Sequence, residues 1–142
     1  MYPHVLLKEE GSRDLIPDYL LEIPTYRSFD IVDLKRPSAR LSAGNRYKRL
    51  SSDLQKAVAQ LRKYRQFFDS SSNRRKFVAE YGLEPFKPKV VVVMGRSAEF
   101  HSLADRKEIE EQLHEIRLVT YDDLLAFGRS RVVDVGRQHS LG

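Results

Sequence analysis

The chain has 142 residues, a formal net charge of +5, 41% hydrophobic and 32% charged residues, and no cysteine. That length suits one domain, 1–142, able to bury about two-thirds of its unfolded surface, and the composition excludes a disordered chain, disulfides, thiol nucleophiles and cysteine zinc sites. The longest apolar run, Val90 to Met94, is too short to span a bilayer, no signal peptide is legible from Met1 to Glu10, and the positive balance permits a polyanionic partner without requiring one.

Three strands are predicted first, over His4 to Glu10, Leu15 to Pro24 and Phe29 to Lys35, with turns at Gly11-Ser12 and at Pro24-Thr25. In the third, residues two apart share a face, so Asp33 and Lys35 point the same way while Val32 and Leu34 are expected to bury against a helix. Asp18 meets Asp33 if the second and third strands pair as a hairpin through Pro24-Thr25-Tyr26-Arg27-Ser28. Next comes a loop-like basic stretch in which Arg36, Arg40, Arg46, Lys48 and Arg49 occur with no acid. Beside an anionic-ligand site such a loop would neutralise phosphates without reading bases; the competing reading is a solvated loop.

Ser51-Ser52-Asp53 caps a predicted helix running to Phe68, whose apolar stripe is Leu54, Ala57, Val58, Leu61, Tyr64 and Phe68. Gln60 is expected on that stripe with its amide turned inward, where it needs partners. Tyr64 reads as core. A polar hinge over Ser70 to Asn73, a helix over Arg74 to Tyr81 ended by Gly82, and a linker Glu84-Pro85-Phe86-Lys87-Pro88 follow. Lys89 to Met94 has the valine run of a strand buried on both faces, and Gly95-Arg96-Ser97 is a turn. Asp105 to Ile116 is predicted as a helix with Ile109, Leu113 and Ile116 inward and Glu108, Glu110, Glu111 and Glu115 outward. Arg117 to Tyr121 reads as the last strand, Asp122 to Phe127 as a short helix ended by Gly128, and the tail from Arg129 is expected to fray.

Two carboxylates and a lysine inside apolar strands suit metal-assisted phosphodiester cleavage. Magnesium prefers oxygen ligands and keeps several waters, so one or two carboxylates suffice, and a lysine can stabilise developing negative charge. The stretches Pro17-Asp18, Asp33-Leu34-Lys35 and Gln60-Leu61-Arg62-Lys63-Tyr64 resemble the Pro-Asp, Asp/Glu-x-Lys and Gln-x-x-x-Tyr elements of the PD-(D/E)XK nuclease superfamily. Their wording is most similar to the nuclease domain of Shedu-type anti-phage defence proteins. The resemblance implies Mg2+ ligation by Asp18, Asp33 and the Leu34 carbonyl, with Mn2+ able to substitute. It further implies a catalytic role for Lys35, an accessory one for Gln60, DNA as partner, and oligomerisation through this or a further N-terminal region. Many members of that superfamily place a glutamate on a preceding helix. Only Glu9, Glu10 and Asp14 lie upstream here, so the chain is expected to be a domain of a longer protein.

No Gly-x-Ser-x-Gly, Walker or Gly-x-Gly-x-x-Gly motif occurs, and His4, His101, His114 and His139 are too scattered for zinc. The expected fold is α/β, a restriction-endonuclease-like central mixed sheet of about five strands flanked by helices. The expected function is a cytoplasmic, magnesium-dependent DNA endonuclease or nickase. The competing readings are a non-cutting DNA-binding or assembly module and an RNA-directed nuclease.

Overall fold

The structure, a computed structural model, describes residues 2–3, 17–23, 25–44 and 48–128. The elements in chain order are β1 (Tyr2–Pro3), β2 (Tyr19–Ile23), β3 (Ser28–Leu34), β4 (Ser42–Ala43), β5 (Arg49–Leu50), α1 (Ser52–Phe67), α2 (Ser71–Tyr81), β6 (Glu84–Val93), α3 (Leu103–Leu113), β7 (Ile116–Val119) and α4 (121–128). The sheet order is β1-β2-β3-β6-β7, four main strands with the two-residue β1 at one edge, and β4 and β5 pair separately. β1, β2 and β3 run antiparallel, whereas β3, β6 and β7 are parallel, which makes the sheet mixed as expected.

The valine run lies where its composition demands, in β6 between β3 and β7. α1 is capped by the Ser51 hydroxyl, which accepts the Leu54 main-chain N–H, and it buries Leu54, Ala57, Val58, Leu61, Tyr64 and Phe67. Phe29 of β3 meets Phe68 and Phe77 at ring-centroid distances of 5.4 and 5.1 Å, which joins the sheet to the end of α1 and the middle of α2. Glu99 holds the segment before β4 by accepting the main-chain N–H groups of Leu41 and Ser42.

Several boundaries differ from expectation. The strand predicted over His4 to Glu10 and the tail from Arg129 lie outside the described residues. Ser70 to Asn73 is no hinge: Ser70 caps α2, and Gly82 ends it at φ +66°. Glu84 to Pro88 is no linker but the first half of β6, where the pairing with β3 slips between Ser28↔Glu84 and Asp30↔Lys89. Pro85 and Pro88 lack an N–H, and the irregular register takes up residues that could not donate to a regular ladder. Ile116 leaves α3, which stops at Leu113, and starts β7 opposite Val90; Tyr121 belongs to α4 and not to the last strand.

Candidate functional site

The site forms at the carboxyl ends of the parallel strands, where open α/β sheets commonly place ligands. There the ladder continues past the strands: the Lys35 main-chain N–H donates to the Val93 carbonyl at 2.8 Å, and Met94 to Val119 at 3.0 Å. Gly95, at φ +67°, donates to the Arg36 carbonyl at 3.2 Å, and a Cβ on it would meet the Leu41 side chain at 2.7 to 2.9 Å. Only glycine fits that turn without displacing Leu41.

Asp18 sits in the bend before β2 and Asp33 near the end of β3. The main-chain N–H of Asp18 donates to Asp33 Oδ1 at 3.1 Å, and that of Leu34 donates to Asp18 Oδ2 at 2.7 Å. Each carboxylate therefore has one oxygen fixed by a main-chain amide. Asp33 is 2% exposed, and its Oδ2 is buried with no partner in hydrogen-bond geometry, although the Lys35 ammonium stands 3.2 Å away. Burial raises the Asp33 carboxyl above its ordinary range; the Asp18 amide and Lys35 pull it down, and the Asp18 charge adds to the rise.

Lys35 Nζ also donates to Gln60 Oε1 at 2.8 Å. Gln60 is exposed, and its amide joins the two sides of the site, hydrogen-bonded to Lys35 and to the side chain of the buried Tyr64 and not to a strand carbonyl. Tyr64, one turn further along α1, is 1% exposed and core as expected. Burial and the charges of Asp33 and Asp18 raise its pKa and keep the phenol neutral, opposed only by a hydrogen bond with the Gln60 side chain. Asp18, Asp33, Lys35 and Gln60 thus come together from the bend before β2, the end of β3 and the residue after it, and α1.

The faces of β3 are opposite to expectation. Phe29, Ile31 and Asp33 are the buried set, Val32 is half-buried and Leu34 is 40% exposed. Asp33 follows the two largest apolar side chains of its strand onto the helix-covered face, since a period of two leaves no other choice. The basic stretch is split. Arg36 leaves the site directly, Arg40 and Arg49 are exposed, and Arg46 lies outside the described residues. The Lys48 carbonyl accepts from Gln112 of α3, and Lys48 borders a depression with Glu108 and Glu111, which does not bring it to Lys35.

Tyr121 of α4 was not singled out in the sequence. Its hydroxyl donates to the Lys35 carbonyl, 86 residues away in the chain, and its N–H donates to Gly95 at 3.0 Å. No local pattern signals such a contact. A depression of about 780 Å³ lies elsewhere, between α3, β7 and α4. Among the described residues no group of three or more His, Cys, Asp or Glu side chains could hold a metal. The oxygen donors here are two carboxylates, plus any main-chain carbonyl between them.

A mixed α/β sheet with an acidic pair, a lysine and an amide at its carboxyl edge defines the class: an α/β protein with a built polar site. Residues 2–125 match the family described as Shedu protein SduA, C-terminal, and the chain belongs to that family, a domain of Shedu-type defence proteins. No curated protein matches the sequence. No described helix is long and apolar enough to cross a membrane.

Proposed function

We propose that this domain is a metal-dependent DNA endonuclease or nickase of the PD-(D/E)XK type, acting in anti-phage defence. One observation carries the reading: the reciprocal anchoring of Asp18 and Asp33, with the Lys35 ammonium 3.2 Å from a buried Asp33 oxygen that lacks a hydrogen-bond donor. A buried carboxylate oxygen costs free energy unless a cation or donor faces it, and hard oxygen donors are what magnesium prefers. The donor set therefore fits Mg2+, with Asp18, Asp33 and the Leu34 carbonyl as the residues that would hold it. Bound there, the ion would supply Lewis-acid chemistry at a phosphoryl oxygen.

The remaining work falls to the chain. Lys35 presents three N–H donors, one of them on Gln60, and stabilises negative charge developing at the scissile phosphate. Gln60 and Tyr121 orient it, one through its side chain and one through its carbonyl. Family membership supports the setting in defence. The deciding experiment is incubation of supercoiled plasmid with the protein in magnesium and in EDTA. Nicking or linearisation in magnesium alone is expected, and an intact plasmid in both overturns the reading in favour of a DNA-binding or assembly module. Matched RNA in the same assay tests the RNA-directed alternative.

A further inference from the structure

Beside the carboxylate pair, on the Gln60 side of Lys35, lies a depression of about 320 Å³. Ala57 and Met94 line it, and three cations border it: Lys35, Arg36 and Lys56, against the single acid Asp53. Arg36 and Lys56 are exposed, and among the described residues neither side chain has an acid partner. Lys56 lies four residues before Gln60 on the same side of α1, about 6 Å along the axis, and Gln60 is bonded to Lys35. The Arg36 main chain is pinned by Gly95. Lys35 is already offset by Asp33 at 3.2 Å, which leaves Arg36 and Lys56 as the uncompensated cations, and a concave surface focuses their positive field. The depression shares Lys35 with the acidic pair, so a ligand filling both must carry negative charge at repeated intervals along a chain. A nucleic-acid strand, with one charge per roughly 3.4 Å of axis, has that property.

We infer that this depression holds the DNA phosphate next to the one that is cleaved, with Arg36 and Lys56 as its contacts. The inference rests on the nuclease reading above and adds to it Lys56, which no sequence pattern indicated, and a direction for the strand, from the acidic pair past Lys35 along the first turns of α1. Asp53 opposes the phosphate and tunes the affinity downward.

The test is equilibrium binding of a short labelled duplex by the whole chain, in EDTA so that nothing is cut, across a salt series. Lys56→Ala is expected to lower the slope of log affinity against log salt by about one, so that the wild-type advantage shrinks roughly threefold between about 50 and 200 mM salt. Arg36→Ala should do the same, Lys56→Arg should restore the slope, and Asp53→Asn should tighten binding. If the wild type binds with a clear salt dependence and both alanine variants keep its slope, the inference is overturned while the nuclease reading stands. A changed slope in a protein that never cuts in magnesium supports the phosphate contact and removes the nuclease reading. A wild type that binds no DNA overturns both.

Discussion

Asp18 and Asp33 are anchored through each other's strand: Asp33 Oδ1 accepts the Asp18 main-chain N–H at 3.1 Å, and Asp18 Oδ2 accepts that of Leu34 at 2.7 Å. The pair is fixed before any ligand arrives, because one bond ties a side chain to the β3 backbone and the other to the bend that leads directly into β2. Like charges held this close repel, and a divalent cation relieves that repulsion. Magnesium should therefore raise the melting temperature of the wild type, by the equivalent of about 2.7 kcal/mol at a hundred times its dissociation constant. Asp33→Asn and Asp18→Ala should lose both that shift and plasmid nicking. Wild-type nicking by Asp33→Asn would remove the pair from the chemistry.

Lys35 and Gln60 separate chemistry from support. On the proposed nuclease reading, Lys35→Ala should lower the turnover number by roughly a hundredfold or more with DNA affinity less affected, because that reading sets its ammonium against charge that develops only in the transition state. Gln60→Ala should misplace the ammonium, a loss of roughly ten- to a hundredfold in turnover, and, because it also removes a hydrogen bond of the buried Tyr64 side chain, should cost about 1 to 3 kcal/mol of stability. A Gln60→Ala protein with wild-type turnover would make the Lys35 contact incidental.

Much of this site is legible in the sequence because its logic is local. The period of two sets Asp33 and Lys35 on one side, and the hairpin brings Asp18 to them. The capping serines at 51 and 70 and the glycine at 82 mark helix ends by backbone chemistry that tertiary packing does not override. What the sequence hides is decided at a distance. Ile116 suits a helix stripe and a parallel strand equally, and its pairing with Val90 settles the matter. The helix-facing side of β3 depends on Phe29 packing against Phe68 and Phe77, 39 and 48 residues on. Gln60 has an inward-looking position in the helical pattern, yet it lies at the sheet's edge, where that side of α1 meets Lys35 and solvent.

Tyr121 ties Lys35 to α4. Its hydroxyl donates to the Lys35 carbonyl, opposite in the chain to the Lys35 N–H that donates to Val93. Tyr121→Phe removes one hydrogen bond and should cost about 1 kcal/mol of stability. If it positions Lys35, the turnover number should fall severalfold while KM for DNA stays put, because the substrate contacts are untouched. A melting shift with unchanged turnover would make Tyr121 a strut only.

The anchoring of α4 itself is open to a pH test. Thr120 Oγ1 accepts the Asp123 N–H at 3.2 Å, Asp123 Oδ2 accepts the Thr120 N–H at 3.1 Å, and the Arg106 guanidinium binds both Asp123 oxygens. The Arg106 hydrogen bonds hold the Asp123 carboxyl below its ordinary value, burial opposes them, and the Thr120 amide assists. Because the folded-state pKa is depressed, the stabilisation is complete above the unfolded value of 3.8 and is lost as pH falls from there through the folded value. Asp123→Asn should accordingly melt lower than wild type at neutral pH by the equivalent of about 1 to 3 kcal/mol. That gap should stay constant down to pH about 5 and narrow below it. As α4 carries Tyr121, nicking by Asp123→Asn should also lose more activity on warming than the wild type. A melting gap that widens as pH falls below 3.8 would show that Asp123 is not the group that holds this helix.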